Sequence, residues 1–478
     1  MRQSPVLFAL VAALAPASLA LRPALRSPPA AFVGRPAGAQ PVLSRGAQPV
    51  LSASAKKPTG TASLSSSSIN LVKTIVGSGV LSLPVGLAAF SASRTAVYPA
   101  LALMGIIGAI SAYCFFLVAR VCEATGSTTW SEAWSASVGE GSAWTPSFFV
   151  GLLCFSASLQ YTMILGDSFS SIFTATGLPK LISSRTGAIA LITALGTLPL
   201  SLLPSLEKLK LTSSLGIGGI VYTTAFMISR CLSGAYGAGS SLSEAVAPAL
   251  RPAFDKVQST AAQSFSTALR SSKVFILVSV MATSFCSHFL APQFAANLDQ
   301  AGEPSKTGRL AALTSIGFVL AAALSALVMV AGFLTFGSAS DGFILNNYAA
   351  TDRLAQAARL AIGGSIVCTY PLLHQGLRDT LMETLGTARV PTTLAAVGVV
   401  TAIGAALTNL GIVAAVSGAF ISTSIVYTLP SLMWAGLLGK RRAANGGLTR
   451  SEKLELLASR LITVLGLGLA VVGMRAAF

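Results

Sequence analysis

Lys73 is the first residue that could do chemistry. It stands in the apolar stretch INLVKTIVGSGVLSLPVGLAAF, residues 69–90. Burying an ammonium in such a stretch costs several kcal/mol, so an ionisable residue there marks a functional site by default. The competing reading is a side chain that snorkels to the interface. One turn further on come Gly77, Ser78 and Gly79, and then Pro84. Glycines let a helix open, and an opened helix leaves amides without intrahelical partners. A second half-helix starting near Val80 would present those amides and a positive dipole end to an anion. The competing reading is that the glycines serve close helix packing. A second constellation lies in SFCSHFLAPQF, residues 284–294. Thr283, Ser284, Cys286 and Ser287 precede His288 and Pro292. Their hydroxyls would satisfy freed backbone groups or receive a ligand, and Phe285 would face a side-chain pocket. The same hydroxyls would serve equally as packing glue. His288 is a candidate proton relay, although a lone histidine is more often structural. Asp167, in ILGD, is the second relay candidate. It closes an apolar segment, where it would pair with Lys73 or, the favoured reading, cap at the interface.

These residues need elements to hold them, and composition says which. Of 478 residues only 10% are charged and 53% are hydrophobic, whereas soluble chains carry roughly a quarter charged residues. The chain reads as an all-α polytopic membrane protein. Eleven apolar segments reach spanning length. They are 68–90, 97–119, 146–170, 186–204, 211–232, 273–296, 310–336, 355–376, 391–408, 411–438 and 456–474. The longest loop, 233–272, divides them five and five with one extra at the C-terminus, the count of an inverted repeat whose first span in each half is broken. Net charge is +17, from 32 Lys and Arg against 15 Asp and Glu. The basic residues fall in short tracts between apolar runs, a pattern of membrane topology and not of nucleic-acid binding. Lys208, Lys210, Lys306, Arg309, Arg378, Arg389, Lys440, Arg441, Arg442, Arg450 and Lys453 fall on the side of the N-terminus. Lys180, Arg185, Arg251, Lys256 and Arg270 fall on the other side, so the bias is modest, and the N-terminal side is expected to be cytosol-like. The six scattered cysteines read as small buried hydrophobes. With two histidines, His288 and His374, no metal site is expected. No triad, phosphate loop or paired carboxylates within a span suggests an enzyme.

The first 66 residues are a separate object. Residues 1–20 match a secretory signal, and 21–66 form a basic, acid-free, transit-like leader. The first acidic residue of the chain is Glu123. A signal followed by such a leader is the pattern of algae with secondary plastids. It also reconciles a secretory signal with a cytosol-like N-terminal side, because the stroma is such a side. An ordinary signal followed by a disordered tail is the alternative.

The ordered motifs from residue 68 to 476 resemble the amino acid/auxin permease family. Asn70, Gly77, Ser78, Gly79, Leu81 and Pro84 fit the family's first span. YTMILGDSF (161–169) is similar to its third span, LPLSLLPSLEKLKLTSSLG (198–216) to its four–five junction, and SFCSHFLAPQF to its sixth span. The stretch 336–381, with its Tyr370-Pro371 and the Arg378 that follows, is the most specific match. The resemblance implies a LeuT-like fold of eleven helices and secondary transport of neutral amino acids from one side of a lipid bilayer to the other, without a cofactor. The substrate carboxylate would lie at Gly77, Ser78, Gly79 and Val80, and its ammonium against carbonyls and hydroxyls at Ser284, Phe285 and Ser287. In sodium-coupled members an asparagine tends to stand at the position of Lys73 and ligates the ion with hydroxyls of the eighth span, here Ser365 and Thr369. A lysine would fill that place with its own charge. Burial disfavours the charged form of an amine, which would make Lys73 a proton carrier. The expected coupling ion is therefore H+, with Na+ as the alternative. A non-transporting amino-acid sensor of the same fold is the other class considered.

Overall fold

The computed structural model describes residues 62–203, 215–298 and 305–477. The signal-like segment 1–20 and most of the basic leader lie outside the described residues. Regular structure among the described residues is helical, apart from two isolated bridges, Ala62 with Leu298 and Ala253 with Gly337.

Within the described residues each expected apolar segment falls on helix, two of them with a break. The first is α1 (Leu64–Ile75) and α2 (Leu83–Ala88), followed by α3 (Val97–Thr125) and α4 (Trp144–Ala175). Next come α5 (Arg185–Leu202) and α6 (Leu215–Leu232). After the short α7 (Ala261–Arg270), the sixth segment is α8 (Val274–Ser284) with α9 (Ala291–Asn297). The last five are α10 (Lys306–Phe336), α11 (Arg353–Leu385), α12 (Arg389–Ala406), α13 (Leu410–Asn445) and α14 (Arg450–Ala477). Among the described residues eight are long and apolar enough to cross a bilayer alone, and nine if α1 and α2 count as one. The other two are α6, which is short, and α11, whose charge-free middle between Arg359 and Arg378 carries the polar Thr369, Tyr370, His374 and Gln375. Several helices outrun their apolar part: α1 starts at Leu64, inside the expected leader, with the Ser63 hydroxyl accepting from the Ser66 amide as N-cap. α11 runs nine residues past 376. Once nucleated, a helix continues through polar residues where water or headgroups meet it.

Burial separates an inner set from an outer one. The spans of α4, α8 with α9, and α13 are mostly buried, whereas α5, α12 and α14 turn most of their surface outward. Large apolar side chains at Ile106, Val319 and Val464 are exposed, as lipid-facing surface requires. α4 and α11 pack along each other most extensively.

The two broken spans share one construction. α1 ends at Ile75, Val76 and Gly77 leave the helix, a 3-10 turn covers Ser78–Ser82, and α2 begins with Pro84 at its second residue. The helices meet at 44°. α8 ends at Ser284, residues 285–287 are irregular, a 3-10 turn covers His288–Leu290, and α9 begins with Pro292 at its second residue. The residue before each half-helix has the same backbone, φ −96° and ψ −3°, at Ser82 and at Leu290. Both prolines thus occupy the first turn, where a missing N–H costs nothing. They start half-helices and do not break helices. The repetition of this device supports the five-plus-five reading.

α10 receives both halves of the first span. A Cβ on Gly317 would stand 2.5 Å from Leu71 of α1, and one on Gly332 would stand 2.6 Å from Pro84 of α2. Glycine is what permits this approach. The loop between α10 and α11 packs onto the same region: the Ser82 hydroxyl donates to the Gly342 carbonyl at 2.6 Å, and Gly342 lies against the backbone of Gly411.

Candidate functional site

Lys73 sits in the last turn of α1, half-buried. It lines a cavity of ≈ 80 Å³ together with Val76, Gly77, Tyr161, Gly216, Ile220, Ile362, Ser365, Ile366 and Thr369. Four elements supply this wall: the end of α1, α4, the start of α6 and the middle of α11. The eighth-span hydroxyls expected beside Lys73 are therefore in the same cavity. Thr369 Oγ1 donates to the Ser365 carbonyl at 2.9 Å, a bond that holds the hydroxyl to its own helix and leaves its lone pairs as acceptors. Gly216 lets α6 come in, since a Cβ there would stand 2.6 Å from Ser365 Oγ. The polar side chains of this wall are the Lys73 amine and the hydroxyls of Tyr161, Ser365 and Thr369.

The break lies where the glycine triplet predicts it. Gly77 is extended (φ −96°, ψ −166°), and the Val80 amide donates to the Gly77 carbonyl at 3.3 Å. The half-helix expected to start near Val80 opens instead as a 3-10 turn from Ser78, with regular helix from Leu83. The free amides at its start are those of Ser78 and Gly79, by the geometry of any helix N-terminus. Val80 is buried. A Cβ on Gly79 would stand 3.8 Å from both Thr283 and Ser284, so the two breaks face each other at van der Waals contact.

At the second break the hydroxyls divide. Ser284 Oγ donates to the Val280 carbonyl at 3.0 Å. Thr283 Oγ1 lies 3.2 Å from the Ser279 carbonyl and 3.1 Å from that of Ala414 in α13. Ser287 is fully buried, and its Oγ has no partner within the protein. A buried hydroxyl left so is expensive, and it makes Ser287 the residue here best suited to meet a ligand. Phe285 departs from expectation. It is fully buried and stacks on Phe318 of α10, centroids 6.1 Å apart. Its ring tip reaches toward Gly108 of α3. It packs the break against α3 and α10.

The two relay candidates have other partners. His288 Nε2 lies 2.8 Å from the Ser111 carbonyl, so that nitrogen carries the proton and donates. The His288 carbonyl accepts from Trp130 Nε1 at 2.9 Å, and Phe115 and Phe318 meet the ring edge-on. This arrangement pins the second break to α3. Asp167 does not close its span, because α4 continues to Ala175. Its carboxylate pairs with Arg185, not with Lys73. It takes Arg185 Nε at 2.6 Å and Asn346 Nδ2 at 3.3 Å. Arg185 also donates to the Gly404 carbonyl at 3.0 Å, at the end of α12. Asp167 thus ties α4, α5, α12 and the 337–352 loop together. Arg378 likewise sits inside α11, buried and paired with Asp379 at 2.8 Å.

Sequence reasoning passed over Tyr161 and Gly216 as site residues, although both lie in stretches that carry the family resemblance. It also passed over His374, which is buried and stacked parallel on Tyr370 at 5.6 Å, with no partner for either ring nitrogen within the protein. Three cysteines, Cys231, Cys286 and Cys368, are only partly buried; the other three are core.

With this geometry in place, similarities to known proteins take on meaning. Residues 60–478 match the family model described as transmembrane amino acid transporter protein. The chain is 25% identical over 421 residues to "Putative sodium-coupled neutral amino acid transporter 11" of Danio rerio, covering 85% of this chain and 86% of that one. It is 23% identical over 399 residues to "Vacuolar amino acid transporter 2" of Saccharomyces cerevisiae, covering 78% and 76%. Among solved structures, the inward-facing conformation of Mhp1 aligns over 88% of this chain and 91% of its own with a TM-score of 0.53 at 14% identity. MhsT in complex with L-phenylalanine aligns over 86% and 98%, also with a TM-score of 0.53, at 12% identity. These likenesses carry the LeuT-like fold.

Proposed function

We infer that this chain, which belongs to the transmembrane amino acid transporter family, moves neutral amino acids by proton-coupled alternating access around its two broken spans. Lys73 is the coupling residue. One observation carries the reading: Lys73, Gly77, Ser365 and Thr369 line a single cavity. Gly77 opens the first break, so a change in the charge of Lys73 acts one turn from the amides that would hold a substrate carboxylate. Opposite those amides, Ser284, Ser287 and the carbonyls around Phe285 would receive the substrate's ammonium. Among the described residues that line the cavity, the polar side chains are those of Lys73, Tyr161, Ser365 and Thr369.

Sodium-coupled symport is the second reading. The name of the zebrafish relative favours it, and the charge of Lys73 opposes it. The two separate in proteoliposomes holding the full chain and offered a labelled amino-acid mixture under a pH gradient, a sodium gradient or neither. Accumulation driven by pH supports the proton reading, and accumulation driven by sodium overturns it. Saturable binding without flux under any gradient would point to a sensor. The composition of residues 1–66 supports a plastid envelope as the membrane, and the vacuolar names of yeast relatives favour another endomembrane. A fluorescent fusion to the full chain would distinguish them.

A further inference from the structure

We propose that α7 lies flat at the membrane surface, with Ala262, Phe265 and Leu269 seated among lipid acyl chains and Arg270 and Lys273 meeting headgroup phosphates. α7 is a ten-residue helix opened by a capping box, with the Thr260 side chain on the Gln263 amide and the Gln263 side chain on the Thr260 amide. Its apolar face is wider than the protein covers. Ser264 and Ala268, one turn apart, are buried. Ala262, Phe265 and Leu269, at i, i+3 and i+7, share the adjoining face and are exposed, Leu269 at 87% and Phe265 at 42%. Val257, just ahead of the helix, is 85% exposed. The opposite face carries Gln263, Ser266 and Thr267.

Position identifies what covers that face. Only residues 271–273 separate α7 from the start of α8, a span. On its buried side α7 rests on the start of α3, another span, and on the turn just before it, where Thr95 Oγ1 lies 2.7 Å from Ser264 Oγ. Tyr98 and Leu101, in the first turns of the α3 on which α7 packs, are exposed large apolar side chains like those of its own open face. A helix held at the level where two spans enter the bilayer has lipid beside it. Exposed Arg270 and Lys273, together with Lys256 before the helix, give the charge that such interfacial helices use against phosphates. The helix is also firmly attached. Gln258 Oε1 accepts from the Arg94 amide at 2.7 Å, the Ser259 amide donates to Ser93 Oγ at 3.0 Å, and Thr95 Oγ1 donates to the Ser259 carbonyl at 2.9 Å. α7 thereby anchors the turn between α2 and α3 to the membrane surface.

The test places tryptophan at Leu269, and at Thr267 as the polar-face control, in the full chain reconstituted into vesicles. Emission gained over wild type is read against two quenchers, aqueous iodide and acyl chains brominated near the glycerol end. The expected result is blue-shifted emission from Leu269→Trp that the bromolipid removes and iodide does not, with the reverse for Thr267→Trp. Iodide quenching of both overturns the proposal. Shielding of Leu269→Trp from both quenchers also overturns it, by indicating a protein partner or a second copy on that face. Bromolipid quenching should strengthen when anionic lipid is included. Arg270→Glu combined with Lys273→Glu should abolish that gain, and a gain that survives overturns the headgroup part.

Discussion

Replacing Lys73 with asparagine should convert the coupling of this transporter. A cavity of ≈ 80 Å³ is about 5 Å across if taken as a sphere. A sodium ion held at its far side would then stand about 5 Å from an ammonium at its wall. At an effective dielectric of about 20, two like charges at that distance repel by about 3 kcal/mol. That corresponds to a loss of roughly two orders of magnitude in sodium affinity. Lys73 is only half-buried, and water screens part of the repulsion, so roughly tenfold is the lower bound. Asparagine removes the repulsion and adds an amide oxygen beside Ser365 and Thr369. Uptake in proteoliposomes should therefore be pH-driven and indifferent to sodium in the wild type, and sodium-stimulated without a pH response in Lys73→Asn. Lys73→Arg separates charge from proton transfer, since guanidinium keeps its proton: it should stay indifferent to sodium and lose the pH response. Sodium-driven uptake by the wild type, or a full pH response in Lys73→Asn, refutes the reasoning.

Gly216→Ala should drive a Cβ against Ser365 Oγ and cost roughly 1–3 kcal/mol as overpacking, read as a fall in Tm and in uptake; Gly218→Ala, which meets open space, should do neither. His288→Gln should preserve transport and its pH profile by keeping a donor for the Ser111 carbonyl, while His288→Ala should lower Tm; a displaced pH profile in the glutamine variant would restore the relay reading. Burial alone would raise the pKa of Asp352, but two hydrogen bonds from Arg230, its charge and the Tyr236 hydroxyl outweigh it and hold the carboxyl below its ordinary value. A lowered folded-state pKa gives stability that is complete above the ordinary value of about 3.9 and lost as pH falls below it. Thermal unfolding should accordingly show a loss in that acid range that Asp352→Asn lacks. Arg230→Met, which strands the buried carboxylate, should cost roughly 3 kcal/mol at neutral pH.

The helices were legible because a bilayer admits few architectures: an apolar run of spanning length has to close its own backbone hydrogen bonds. The first break was legible for the same reason, since Gly77 and Gly79 beside a charge have no place in an ordinary span. Lys73, Ser365 and Thr369 could be grouped only through family resemblance, since nearly three hundred residues separate the lysine from the hydroxyls. What stayed hidden depends on orientation and partners. Phe285 reads as pocket lining from its place at a break, and the fold turns it toward Phe318. Asp167 reads as a span end because the polar residues after it resemble a loop, yet the helix runs on and the carboxylate meets Arg185 and Asn346 from distant segments. Ser82 and Leu290 share a backbone geometry and no chemistry, so that part of the repeated construction is visible only in three dimensions.

The seating of α1 and α2 on α10 has a mechanical corollary. Gly317 and Gly332 are fifteen residues apart on one continuous helix, a lever arm of roughly 22 Å in total. Were α10 to tilt by about 10° around its midpoint, the two glycines would travel roughly 2 Å each in opposite directions. Leu71 and Pro84, fitted against them, would be carried along on either side of the hinge at Gly77. A rod pivoting beneath a jointed one works as a seesaw: lowering one end of the joint lifts the other. In such a linkage the passages on the two sides of the membrane would not stand open together.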